Sequence, residues 1–257
     1  MSLNTPTYNK TRQAWRNIWS DTDFARELAT LDYPRARELR NLYAPYLDKE
    51  LPSLEAGCGL GHIVYYFRQH GYPMLGLDYA QEALVPTHAA FPNLPLHLGD
   101  VHHLPYPENT FGAYLSFGVV EHFEAGPLGA IREAYRVLKR GGHLILTTPT
   151  PNFVEALRKI ADTLIPARVS KRPPRAEYYE TTYTAAQLRN FAQQADFEVV
   201  KTVPYGHSFT FYGLHRIFRK PRSYYETSPL GELAGRVGKF IAPYLSAFEV
   251  LLIARKP

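Results

Sequence analysis

The segment Leu54-Glu55-Ala56-Gly57-Cys58-Gly59-Leu60-Gly61 sets glycines at alternate positions behind a short apolar run. That spacing lets a chain turn sharply and bring its backbone against a ligand, with a helix N-terminus close by. A dinucleotide fingerprint would want its third glycine at position 62, which is His62. Asp78 ends a second apolar run about 20 residues on, where doubly wound folds place an acid that accepts from both ribose hydroxyls. An acid there can also cap a helix, and Ala80–Glu82 opens one. Asp100, in Leu98-Gly99-Asp100-Val101-His102-His103-Leu104-Pro105-Tyr106, is a third acid at a strand-to-loop junction. Proton transfer near neutrality falls most readily to histidine. His122, directly after Glu121, and His207 each follow a strand-like run, where each could act as a base or anchor its loop. His102 and His103 read as structural. Glu121-His122 could share a metal only with further ligands that no spacing reveals, and no metal site is assigned.

These residues need elements to hold them. Residues 11–48 read as two helices, one with Trp15, Ile18 and Trp19 on a face, the other with Leu39, Leu42, Tyr43 and Tyr46. Strands then alternate with helices: Leu51–Ala56 strand, Ile63–His70 helix, Pro73–Leu77 strand, Gln81–Ala90 helix, Leu94–Leu98 strand. Phe111–Phe117 reads as a strand, Leu128–Leu138 as a helix and His143–Thr148 as a strand. Such alternation predicts a parallel sheet covered on both faces. Beyond residue 150, Asn152–Ile165 reads as an amphipathic helix and Pro166–Pro174, with Arg168, Lys171 and Arg172, as a loop. Thr184–Gln194 is a helix capped by Thr184, and Phe197–Val203 a strand. Tyr205–Pro243 reads as irregular, and Ala247–Ala254 as the last strand.

At 257 residues the chain can bury one sizeable core, which favours one domain with insertions. No apolar run reaches the roughly 18 residues a membrane span needs, and a cytoplasmic location is expected. The single Cys58 excludes a disulfide within the chain and a cysteine-based zinc cluster. The net charge of +5 is uneven: residues 1–150 hold 13 Lys/Arg against 15 Asp/Glu, residues 151–257 hold 16 against 9. A basic second half suits an acidic substrate, nucleic acid or anionic membrane, or only a soluble surface.

Five segments, in order, resemble the Rossmann-like (class I) S-adenosylmethionine-dependent methyltransferases of the small-molecule type. The glycine turn resembles their E/D-x-G-x-G-x-G signature, Asp78 their ribose acid, and Gly99-Asp100 to Leu104-Pro105 their G/D-D-x-x-x-L-P segment. Phe111 to Glu121-His122 resembles their F-D-x-V-x-x-x-x-x-x-E-H strand and loop, with Gly112 for the usual aspartate. Arg136-Val137-Leu138-Lys139-Arg140-Gly141-Gly142 resembles R-V-L-K-P-G-G, with Arg140 for proline.

The resemblance implies a doubly wound α/β sheet of seven strands in the order 3-2-1-4-5-7-6, the last antiparallel. It implies one domain over 1–257: a helical cap (1–50), a cofactor half (51–149), and substrate-side insertions after strands 5 and 6 (150–183 and 205–245). S-adenosyl-L-methionine is the implied cofactor, held by Glu55, Gly57, Cys58, Gly59, Gly61, Asp78, Tyr79, Asp100, Val101 and Phe117. Asp100 would accept the adenine amino group and the Val101 amide meet a ring nitrogen. His122 and His207 are the candidate catalytic bases, and Trp19, Phe209 and Tyr212 the candidate acceptor contacts.

The acceptor is expected to be a small molecule, methylated at a hydroxyl of an aromatic, sugar or lipid-like metabolite. Aromatic and basic residues interleave over 205–225, which makes that stretch a solvated lid, a nucleic-acid surface or a peripheral contact with lipid. A nucleic-acid acceptor is not favoured, because Ser116-Phe117-Gly118-Val119 stands where base-amine enzymes carry N/D-P-P-Y/W. An RNA methyltransferase and a catalytically silent cofactor-binding scaffold are the rival readings.

Overall fold

Inner strands of a parallel sheet are covered on both faces, so they need continuous apolar or small runs. The first strand, β1 (Ser53–Ala56), is buried at every position. The computed structural model describes residues 6–164 and 180–257. Before β1 come helices α1 (Pro6–Ser20), α2 (Phe24–Thr30) and α3 (Pro34–Tyr43). After it follow α4 (His62–Gln69), β2 (Met74–Asp78), α5 (Gln81–Ala90), β3 (Leu96–Leu98), β4 (Phe111–Phe117) and α6 (Leu128–Val137). Then come β5 (Leu138–Pro149), α7 (Phe153–Leu164), α8 (Ala185–Gln194) and β6 (Glu198–Tyr205). The chain ends with α9 (His207–Tyr212), α10 (Pro229–Ile241), α11 (Pro243–Ser246) and β7 (Glu249–Arg255).

The seven strands form one sheet in the order β3-β2-β1-β4-β5-β7-β6. Strands β1 to β5 pair in parallel, and β7 runs antiparallel to both β5 and β6. This is the architecture that the resemblance implies. Successive side chains of a strand point to opposite faces, and β7 divides accordingly. Val250, Leu252 and Ala254 join the cluster that includes residues of α6 and α8, while Leu251 and Ile253 pack in the cluster with Tyr43 and Phe67. Between β1 and β4 the strand order reverses, which in open α/β sheets opens a crevice at the carboxyl edge.

Two sequence expectations need correction. The N-terminal 11–48 stretch holds three α-helices rather than two, because Asp23 interrupts it and caps α2 by accepting from the Arg26 N–H at 2.8 Å. Pro34 then starts α3 at its first turn. The segment 205–243, expected to be irregular, is largely helical: α9 and α10 occupy much of it. Gly231, Gly235 and Gly238 disguise α10 by removing its inward side chains, although Ser228 and Pro229 are ordinary start signals. The loop reading of Pro166–Pro174, and with it Arg168, Lys171 and Arg172, lies outside the described residues.

Thr184 caps α8 as its sequence predicts, in a reciprocal box. Its Oγ1 accepts from the Gln187 N–H at 3.2 Å, and Gln187 Oε1 accepts from the Thr184 N–H at 2.9 Å. Thr184→Ala should therefore cost about 1 kcal/mol of stability. Urea unfolding measures it, and an unchanged midpoint would mean that the box contributes nothing.

Candidate cofactor and acceptor site

The glycine turn is built on β2. The Gly57 and Cys58 N–H groups donate to the Leu77 carbonyl at 2.7 and 3.1 Å, and Gly61 opens α4 in a left-handed conformation, φ 74°. Asp78 locks the arrangement: its Oδ2 accepts from the Gly59 N–H and its Oδ1 from the Ala80 N–H, both at 2.8 Å. Burial pushes this carboxyl up, while the amides of Ala80, Gly59 and Tyr79 pull it back down. At Gly59 a Cβ would run into the ring of Trp19, and at Gly61 it would meet Leu96. These two glycines thus make room for packing and do not themselves line the cavity, unlike Gly57 and Cys58.

That cavity, of about 470 Å³, runs along the carboxyl edge of the sheet, a size that suits a small molecule. One half, over β1–β4, is walled by Glu55, Asp78, Tyr79, Asp100, Val101 and Phe117. Thr11, Arg12, Trp15 and Trp19 of α1 contribute to the wall, the two indoles stacked at 5.7 Å between centroids. The Glu55 carboxyl is pushed well above its usual range, first by burial and then by Asp78, and its Oε2 has no hydrogen-bond partner. Asp100 Oδ1 accepts from the His102 N–H at 2.9 Å and lies 2.9 Å from His102 Nδ1, so His102 positions the acid.

The other half contains residues that sequence reasoning missed. Glu27, Arg35, Leu39, Thr147, Tyr205 and Glu249 line it, together with Tyr225. The Arg35 Nη2 and Nε donate to Glu249 Oε2 at 2.6 and 3.1 Å. Thr147 and Glu249 lie near the ligand-side ends of paired strands, so a committed topology could have found them. Nothing in the sequence signals Arg35 or Glu27, which arrive from helices by folding.

The structure separates the two candidate bases. His122 lines the cavity, its ring edge-on to Trp15 at 5.2 Å. His207 does not: it faces a second cleft with Glu38, Ser208, Arg236 and Lys239, its Nδ1 2.9 Å from Ser246 Oγ. The expected base at His207 is therefore set apart from the cavity that His122 lines. Phe209 and Tyr212 are also outside the cavity wall, stacked on each other at 4.8 Å, with the Arg35 guanidinium 4.4 Å over Phe209. They act as a second layer behind Arg35, and Tyr225, with Tyr205 at the end of β6, reaches the wall. Tyr224 beside it donates to Glu27 Oε1 at 3.0 Å, tying the insertion to α2. Among the described residues no group of three or more His, Cys, Asp or Glu could hold a metal ion.

A family model described as a methyltransferase domain matches residues 54–146. The chain is 32% identical over 157 residues to the demethylmenaquinone methyltransferase of Chlamydia trachomatis, covering 57% of this chain and 67% of that one. The chain belongs to the S-adenosylmethionine-dependent methyltransferases. A protein of Mycolicibacterium smegmatis named as a probable S-adenosylmethionine-dependent methyltransferase is 28% identical over 150 residues, 58% of this chain and 53% of its own length. The match thus spans about half of that relative. The crystal structure of the [4+2]-cyclase SpnF superposes with a TM-score of 0.62 at 20% identity, covering 96% of each chain, a likeness of fold alone.

Two predictions follow for this methyltransferase. Asp78→Ala should weaken binding of S-adenosylhomocysteine by roughly 1.5–3 kcal/mol, since a charged hydrogen-bond partner is lost; calorimetry showing parental affinity would misplace the pocket. His62 begins α4 against the cavity, and burial lowers its pKa from 6.5 to about 4. The unfolded chain then binds more protons than the native one between those values, so the His62 contribution to stability is present above pH 6.5 and lost as pH falls towards 4. His62→Gln should remove about 3 kcal/mol of that acid sensitivity. Urea unfolding across the pH series tests this, and parallel curves for parent and variant would refute it.

Proposed function

We propose that this protein methylates a small hydroxylated aromatic or lipid-like molecule, with S-adenosylmethionine as donor. What carries the reading is the continuity of one cavity from the glycine turn to an aromatic-walled end that holds the Arg35–Glu249 ion pair. The chlamydial relative's name, a demethylmenaquinone methyltransferase, supports an acceptor of this chemical kind. The basic second half gives no comparable support to a nucleic-acid acceptor.

The residues present fit the cofactor. Glu55, Asp78 and Asp100 give the cofactor half an acceptor set suited to a cationic nucleoside. Asp78 keeps lone pairs beyond those given to Gly59 and Ala80, so it can accept from ribose hydroxyls without releasing the turn. Asp100 would take the adenine amino group, with Val101 and Phe117 against the ring, and Tyr79 beside the ribose. When bound, S-adenosylmethionine supplies a methyl group on a sulfonium, open to in-line attack.

The protein's part is alignment and proton removal. Fixing acceptor and donor in one closed space can supply a large part of the acceleration. His122 is the base in this reading: a ring nitrogen takes the acceptor's hydroxyl proton as its oxygen forms the new bond to carbon. The bound donor would give up the methyl group and keep the electron pair of the S–C bond, as a neutral thioether. Trp15, edge-on to the His122 ring, limits the ways the imidazole can turn. Arg35 and Glu249 orient a polar end of the acceptor, and Tyr225 grips its body.

The decisive experiment incubates the protein with methyl-labelled cofactor and a panel of phenols, hydroquinones and lipid extracts, and identifies labelled products by mass. Bound cofactor without any transfer would make the protein a silent scaffold. Once an acceptor is known, His122→Asn should lower kcat by about 10²-fold or more while sparing cofactor affinity. An unchanged kcat would remove His122 from the chemistry.

A further inference from the structure

Helix α10 presents its faces in the reverse of the usual order. Leu230, Leu233, Val237, Phe240 and Ile241 recur at helical spacing, and such a stripe ordinarily packs on the core. Here the side turned inward is glycine. A Cβ at Gly235 would lie 2.5 Å from the Ser208 nitrogen, at Gly231 2.8 Å from the Phe218 carbonyl, and at Gly238 2.9 Å from Ser246 Cβ. The helix backbone therefore beds directly on α9 and its neighbours, and the large apolar side chains point away. Phe240 is 91% exposed, Ile241 73% and Leu233 58%. The stripe continues into α11, where Leu245 is 62% and Tyr244 49% exposed. Leu214 and Ile217 are exposed on the preceding segment, which Ser228 holds against α10 by donating to the Ile217 carbonyl at 2.8 Å.

The charges of this insertion are as one-sided as its hydrophobicity. Residues 205–246 carry six basic residues (Arg216, Arg219, Lys220, Arg222, Arg236 and Lys239) against Glu226 and Glu232. All six are exposed, Arg236 and Lys239 on α10 itself, where they line the second cleft with Glu38 and Glu232. Only Lys220, with Glu226, and Lys239, with Glu38, are seen in ion pairs among the described residues of this group. An exposed apolar stripe beside basic residues, with aromatic rings at its end, is the signature of a helix lying in a lipid interface. Among the described residues no helix is long and apolar enough to cross a membrane, so the contact is with the surface.

We infer that the α10–α11 face, Leu230 to Leu245, docks on an anionic lipid bilayer. A second copy is the poorer occupant, because a two-fold pair would set this patch against itself and bring like cations together. Anionic headgroups meet those cations instead, while Phe240, Ile241 and Leu245 enter the acyl boundary. The same insertion supplies Tyr225 to the cavity wall, so lipid contact and the acceptor end of the site share one piece of chain. The binding itself needs no catalysis, and its test is independent of the acceptor.

The whole chain is floated with phosphatidylcholine vesicles, with and without phosphatidylglycerol, at low and high salt. Retention on the phosphatidylglycerol vesicles is expected, weakened by salt and weaker still on phosphatidylcholine alone. Phe240→Ser/Ile241→Ser should lower the bound fraction about tenfold or more, with S-adenosylhomocysteine affinity and circular dichroism unchanged. Leu245→Ser, placed in the next helix, is the second apolar variant should the pair disturb folding, and Arg216→Glu/Arg222→Glu should remove the preference for phosphatidylglycerol. No retention on phosphatidylglycerol vesicles, or retention undiminished in folded Leu245→Ser and Phe240→Ser/Ile241→Ser, overturns the inference. So does a dimer in light scattering that Phe240→Ser/Ile241→Ser dissociates while parental vesicle binding is absent.

Discussion

Asp78 accepts a hydrogen bond from the glycine turn after β1 and another from the start of α5 after β2, both at 2.8 Å. Those two contacts join the carboxyl ends of neighbouring strands into one rigid rim. A buried carboxyl is expensive unless its oxygens are satisfied, and the two amides meet most of that demand. The rim in turn decides where helix α1 can sit. Gly59, held by Asp78, has no side chain, and Trp19 occupies the space above it. Trp19 also packs with Leu60, Ala80 and Ala83, so one indole reads both sides of the same rim.

The aromatic wall that α1 adds has a chemical consequence. Trp15 and Trp19 stack on each other, and Trp15 meets the His122 ring, so a helix from the start of the chain orients a side chain after β4. The carboxyls Glu55 and Glu121 are both buried, and burial pushes each well above the usual range. A cationic donor in such a place meets acceptors that water does not compete for, where electrostatic contacts count for more than in bulk solvent.

The other end of the cavity is made differently. Arg35 bridges two distant pieces: its guanidinium binds Glu249 at the start of β7, lies over the neighbouring Phe248, and lies over Phe209 of α9. Tyr224, bonded to Glu27, brings the insertion after β6 against α2. Helices before the sheet and helices near its end therefore close one compartment together. Gly231 and Gly235 let α10 lie close against the same insertion, and the tight seating turns its bulky face outward.

The cofactor half was legible because its determinants are local. A glycine with positive φ, an acid closing a strand and a polar residue capping a helix each act within a few residues, so Gly57, Asp78 and Thr184 leave readable marks. Strand order followed from the resemblance, and the alternation of apolar runs agreed with it. The sequence by itself thus determined the sheet, the turn and the family. Tertiary structure decided the far end of the cavity, because Arg35 and Glu249 are separated by 214 positions and nothing near either announces the other. It also decided which histidine meets the cavity: His122 and His207 both follow strands on one edge, but β6 lies at the sheet's margin, and the turn into α9 carries His207 to a separate cleft. The outward stripe of α10 is the same case. Its periodicity is in the sequence, but which side faces water depends on the close seat its glycines find on α9, a contact between elements that no single segment encodes.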